Sequence, residues 1–207
     1  TEELRSDGGN LAIFLFSLRN SKKITQRMKF EIIKKSFEEI CFAENLTFDV
    51  ILEYDEKSKW RNARNQISAT PKYPKIVVIN KTNHIHYSFD QVGTGVSEII
   101  YLLTASHGSE NSVILMDEPS VNLHPSMMKA LMSHIKNSDC QFIIITHSPD
   151  LTHYEIFDND ANICYVRKHE GSSKILQFDK KRSSWFSKNR SRFKHQIDSR
   201  IFFAKCI

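Results

Sequence analysis

The sequence has no apolar run near the roughly 20 residues that a bilayer-spanning helix needs. Its longest apolar stretches, around residues 11–18 and 142–145, are far too short, so no membrane association is expected. Cysteine is scarce: Cys41, Cys140, Cys164 and Cys206 stand far apart with no C-x-x-C. That excludes a disulfide framework and a zinc ribbon, and it fits a reducing, cytoplasmic setting. There is no signal-peptide pattern, no internal repeat and no low-complexity segment. The chain opens on Thr1 and stops at Ile207 inside what reads as a starting strand, so it is expected to be a fragment of a larger protein. Apolar residues make up 40% and charged residues 26% of the 207, which suits a globular domain with a real core and excludes an extended disordered chain.

The net charge of +5 is unevenly spread. Residues 180–200 hold eight Lys/Arg against one acid, Asp198; that stretch is +7, which leaves −2 for the rest. The basic character therefore belongs to a tail.

Hydrophobic spacing predicts the elements. Residues 10–19 read as a buried helix capped by Asp7 or Asn10. Residues 25–43 carry Phe30, Ile33, Phe37, Ile40 and Cys41 at helical spacing with charges between them, an amphipathic helix. A strand follows at 47–54, then a polar loop with two prolines at 55–74, then a hairpin from 75–80 and 84–89. An apolar helix is predicted at 96–104, and 113–116 and 142–146 read as buried parallel strands. Between them 125–137 form an amphipathic helix, with Pro125 in its first turn and Met128, Leu131, Met132 and Ile135 on one face. Residues 163–166 and 174–178 suggest a closing antiparallel pair. This order points to an α/β sheet.

Three places carry chemistry. Val113-Ile114-Leu115-Met116 delivers Asp117 and Glu118 to a strand's carboxyl end, where ligands sit in open α/β sheets. An Asp there can hold the water shell of Mg²⁺, and the adjacent Glu can orient or deprotonate an attacking water. The bland alternative is a strand end with solvated acids. Ile143-Ile144-Ile145-Thr146 delivers His147 in the same way, and a strand–helix–strand crossover would set it beside the acidic pair, able to contact a γ-phosphate. Gln91-Val92-Gly93-Thr94-Gly95-Val96-Ser97-Glu98 precedes a helix, where glycines let backbone amides approach a phosphate; the alternative is a plain turn leading into the helix. His84 and His86 share one side of a strand without a third ligand nearby, and His107, His134, His153, His169 and His195 show no ligand spacing.

Together these segments resemble the ABC-class P-loop ATPases, in particular the soluble branch of OLD-family, RecF and SMC-like proteins. The likeness covers roughly residues 7–167 and is dense over 91–150. In that resemblance Asp117 is the Walker B, metal-side aspartate, Glu118 the catalytic glutamate and His147 the switch histidine. Ser120-Val121-Asn122-Leu123-His124-Pro125 is similar to the D-loop, with Asn122 beside the nucleotide, and Asp7-Gly8-Gly9-Asn10-Leu11-Ala12 to a DGxNLA segment of this branch. Gly93, Thr94, Gly95 and Ser97 stand where the signature motif contacts ATP on the opposite subunit, although Val92 replaces the usual serine.

No G-x-x-x-x-G-K-[ST] loop is present, so this chain does not cradle the β- and γ-phosphates by itself; an upstream loop is expected. The resemblance implies an ABC-type ATPase lobe at 1–178, largely a parallel sheet flanked by helices with a C-terminal β-hairpin. A basic linker at 179–207 would follow. ATP and Mg²⁺ are the implied cofactors, an ATP-sandwiching homodimer the implied assembly, and DNA, with an accessory protein, the implied partner. Residues 200–207 are similar to the LFFA-K-VILVEG segment that leads into the Toprim nuclease domain of OLD-family proteins, which implies an ATP-dependent endonuclease. Trp185, Phe186 and Phe193 among the basic residues suit either nucleic acid or docking on the core. The competing expectations are a repair or chromosome-structure ATPase without nuclease activity, a transporter subunit, and a dimerisation scaffold.

Overall fold

A computed structural model of the chain describes residues 3–5, 8–54, 60–61, 67–68, 71–108, 112–119, 122–146, 164–169 and 172–177. The chain divides into two compact units, Thr1–Ile145 and Thr146–Ile207.

In the first unit, helix α1 (Leu11–Arg19) buries Leu11, Phe14, Leu15 and Leu18, one stripe at helical spacing. Asn10 occupies its N-cap but makes no side-chain cap bond. Its amide instead ties down the preceding segment, accepting from Arg5 N at 2.9 Å and donating to Glu3 O at 2.8 Å; Asp7 lies outside the described residues. Helix α2 (Ile24–Ile40) buries the predicted Phe30, Ile33, Phe37 and Ile40. They meet the inner face of a hairpin between β1 (Leu46–Tyr54) and β4 (Pro71–Asn80), where Phe48 pairs with Val78 and Val50 with Ile76. Phe30 and Phe37 both meet the Phe48 ring edge-on, at 5.9 and 5.2 Å. Such contacts add about 0.5–1.5 kcal/mol each beyond burial.

The polar stretch predicted as a loop to residue 74 holds short strands β2 (Trp60–Arg61) and β3 (Ile67–Ser68), and β4 begins at Pro71. Two prolines fit in β4 because its second neighbour, β5 (His86–Ser88), pairs only with Val77, Val78 and Ile79. At Pro71 and Pro74, β4 has no second neighbour among the described residues, and prolines are tolerated on such an edge.

The far end of this sheet is locked to α2 through Glu38. The Thr47 hydroxyl donates to its carboxylate and the Lys81 ammonium lies 3.1 Å away. Burial alone would raise the Glu38 pKa, but the Thr47 and Lys81 bonds outweigh it and hold the carboxyl below its ordinary 4.5. Folding therefore favours the ionised form, and its stabilisation, full above the unfolded carboxylate pKa, is lost as pH falls through the folded value. In a calorimetric pH series, the fall of Tm between about pH 5 and pH 3 should be shallower in Glu38→Gln than in the wild type. Equal slopes would refute the linkage.

Helix α3 (Thr94–Gly108) runs longer than predicted and buries Ile99, Ile100, Leu102 and Leu103; the buried Thr104 hydroxyl bonds the Ile100 carbonyl at 2.7 Å. Strand β6 (Val113–Asp117), helix α4 (Pro125–Lys136) and strand β7 (Gln141–Ile145) form the expected crossover, and β6 and β7 are parallel neighbours. Parallel pairing is confined to these two strands among the described residues; the other sheets are antiparallel, as hairpin-linked strands must be. α4 buries Met127, Met128 and Leu131, while Met132 and Ile135 are half-buried.

The two apolar strands are covered on one face. Ile114, Met116 and Phe142 pack on the core. Val113, Leu115, Ile143 and Ile145 are exposed, Leu115 by 74% and Ile145 by 64%. The expectation of buried strands is therefore met only in part: the inner face is half-buried and the outer face exposed. In the second unit, β8 (Cys164–His169) and β9 (Ser172–Gln177) form the predicted antiparallel pair. Among the described residues no helix is long and apolar enough to cross a membrane.

Candidate active site

The acidic pair sits where the regular strand gives out. Asp117 pairs with Ile145 at the carboxyl end of the parallel ladder, and the Glu118 amide still donates to the Ile145 carbonyl at 2.8 Å. Glu118 then turns to φ +47°. This is the left-handed region, which residues with a Cβ seldom enter. The following Pro119, buried, narrows the choice further. A non-glycine residue held there costs about 1–3 kcal/mol. The turn takes Glu118 out of the strand's alternation. Asp117 stays in it, on the exposed side with Val113 and Leu115.

Asp117 lines a cleft of about 480 Å³ with Ser97, Glu98, Tyr101, Pro119 and Leu123. Its exposed carboxylate is a hard oxygen donor of the kind Mg²⁺ takes singly or in pairs while keeping several waters. Among the described residues no three His, Cys, Asp or Glu side chains gather as a metal cage.

The glycine-rich segment opens α3 and packs on the loop before α4. A Cβ on Gly95 would lie 2.1 Å from the Asn122 carbonyl oxygen and 2.8 Å from Leu123 Cδ2, so only glycine lets the loop close on the helix. Asn122 Nδ2 donates to Glu98 Oε1 at 3.0 Å across the same contact. The Ser97 hydroxyl donates to the Thr94 carbonyl at 2.8 Å. Gly93 is exposed, and a Cβ added there would meet nothing within 4 Å. Packing inside this chain therefore does not require glycine at 93.

The sequence-predicted residues Gly93, Thr94, Gly95, Ser97 and Asn122 thus come together, and Ser97 shares its cleft with Asp117, next to Glu118. His147, Ser120, Val121 and the aromatic-basic tail lie outside the described residues. Sequence reasoning missed two contributors. Glu98 carries no mark until the loop brings Asn122 to it. His124 caps α4, its Nδ1 2.8 Å from Ser126 Oγ and accepting from Ser126 N; Ser, Thr, Asp and Asn are the usual signals at that position.

A family model described as an AAA ATPase domain (AAA_15) matches residues 14–152. An uncharacterized protein of Methanocaldococcus jannaschii is 35% identical over 153 residues, 72% of this chain but 16% of that protein. The chain thus spans a small part of that relative's length. Among solved structures, the fold is similar to an SMC ATPase described for ATP-driven dimerization and DNA-stimulated activation, with a TM-score of 0.50 at 18% identity, covering 81% of this chain and 96% of that one. It is similar also to the Smc head domain of Pyrococcus furiosus bound to the C-terminal domain of ScpA, with a TM-score of 0.55 at 18% identity, covering 89% of this chain and 44% of that one.

Proposed function

Since the chain belongs to the AAA ATPase domain family, we propose that it takes part in ATP hydrolysis at the carboxyl end of β6, with Glu118 orienting the attacking water and Asp117 holding the metal side. The observation that carries this reading is the left-handed Glu118 directly after an exposed Asp117 at the end of a parallel strand. Strain at such a point is kept where the surroundings over-determine it, which is common at catalytic sites. Mg²⁺, when bound, supplies charge neutralisation on the phosphates. Asp117 would hold it through its water shell, and His147 would brace the γ-phosphate.

The β- and γ-phosphates are then held by a loop on another segment of the polypeptide. The open face of Val113, Leu115, Ile143 and Ile145 supports this, because parallel strands are normally covered on both sides. Asp117 lies on that same side, so a layer seated there reaches its carboxylate.

Two lobes would sandwich ATP, each offering Gly93, Thr94, Gly95, Ser97 and Asn122 to nucleotide held by the other. Open space at Gly93 and the Gly95–Asn122 contact support a preformed face of this kind. Hydrolysis would part the lobes and gate DNA, which requires ATP to bind the closed dimer better. An OLD-like endonuclease is the first reading of the whole protein. The likeness to Smc heads favours a second, a chromosome-structure ATPase without nuclease, with an accessory protein as partner. ATP-dependent linearisation of a supercoiled plasmid by the complete protein separates them.

For the site itself, Asp117→Asn in the complete polypeptide should weaken binding of ATP with Mg²⁺ by about 10–100-fold, the loss of one charge-assisted contact. Binding of ATP without Mg²⁺ should change little. Calorimetric titration with and without the metal measures both, and equal losses would remove Asp117 from the metal side.

A further inference from the structure

At the opposite ends of α3 and α4 lies a feature that hydrolysis does not use. His107, in the last turn of α3, and His134, in the last turn of α4, meet edge-on with ring centres 5.1 Å apart at 66°. Their two Nε2 atoms are buried without a hydrogen-bond partner. Among the described residues only Glu44 Oε2 shares that condition. Buried polar atoms are nearly always satisfied, so two orphaned nitrogens on rings in contact ask for a partner that the described residues do not supply.

We propose that His107 and His134 form a two-histidine site for a late first-row divalent cation of the zinc class. Two imidazoles that reach one tetrahedral cation through nitrogen at about 2.0–2.1 Å hold their ring centres about 5 Å apart. Imidazole is the ligand type that suits zinc, copper and nickel rather than magnesium or calcium. Among the described residues no third His, Cys, Asp or Glu joins the pair. Burial lowers the pKa of both rings, that of His134 to about 4, and so disfavours the imidazolium form. The neighbouring Lys29 on α2 opposes a further positive charge. The carboxyl-terminal turns of two helices, whose partial charges are negative, act the other way. A cation here pins the ends of the two helices whose beginnings carry Gly95 and the Asn122 loop.

The test is thermal unfolding of the full chain with ZnCl₂ alone. Zinc at a hundredfold excess over its Kd should raise Tm by about 5–10 °C, and EDTA should reverse the rise. His134→Phe keeps a ring in the contact but removes Nε2, so it should fold and lose the rise. A His84→Gln/His86→Gln variant should keep it. A wild-type Tm unmoved by zinc, as a bridging water would give, overturns the proposal. So does an equal rise in His134→Phe. A readout free of mutation is imidazole ¹⁵N resonance in the unsubstituted chain: zinc should shift the Nε2 signals of two histidines, and a shift confined to others overturns the site.

Discussion

Glu118→Gln, made in the complete polypeptide, should bind ATP with near wild-type affinity and turn it over about 10²–10⁴-fold more slowly. Glutamine keeps the size and polarity of the side chain and the same backbone demands at φ +47°, so the fold does not confound the result. What it loses is the negative charge that accepts a proton from, or orients, the attacking water. ATP should accordingly trap the variant in its closed, two-lobe state, which sedimentation velocity reads directly. Turnover within a fewfold of the wild type would remove Glu118 from the reaction. Glu118→Gly separates the two properties of the position. It should relieve the left-handed strain, worth about 1–3 kcal/mol, and so raise stability while abolishing turnover.

The second large effect concerns two glycines two residues apart. Gly95→Ala places a carbon 2.1 Å from the Asn122 carbonyl oxygen, a backbone atom that cannot swing aside. The loop must lift, at a cost of about 2–3 kcal/mol, which lowers Tm by about 5–10 °C in a chain of this size. The Glu98–Asn122 bond should break with it. Gly93→Ala meets nothing and should change stability by less than about 0.5 kcal/mol. Under the proposed sandwich it should still weaken ATP-driven association, because the added methyl intrudes where the other lobe's nucleotide approaches. Chemical denaturation checks the first pair of values and ATP-dependent sedimentation the last. Equal destabilisation by both substitutions would contradict the packing described. An unaltered association in Gly93→Ala would argue against the sandwich.

Much of the architecture could be read in the chain because its signals are local. Phe30, Ile33, Phe37 and Ile40 repeat at the helical period, and all four are buried. The aliphatic runs ending at Asp117 and Ile145 are parallel neighbours joined by the α4 crossover. What escaped the sequence depends on tertiary approach. Pro71 and Pro74 argue for a loop until the pairing shows that β4 lacks a neighbour on one side there among the described residues. Asn10 is a good cap by type, yet its amide is drawn to Arg5 and Glu3. Gly95 suggests a phosphate contact, but its immediate physical role is to admit the Asn122 backbone. His107 and His134 carry no common spacing because they meet only where two helix ends converge.

The ledge formed by Val113, Leu115, Ile143 and Ile145 also governs how such a lobe must be made. Water-facing aliphatic strands are sticky, and among the described residues β6 and β7 pair only with each other, so each keeps an outer edge. Under the proposed covering layer, a ribosome that released this lobe long before that layer would leave a client for chaperones and a seed for clumping. Synthesis in one continuous polypeptide, or tightly matched expression of two, would then follow from those four side chains, independent of any chemistry at Glu118.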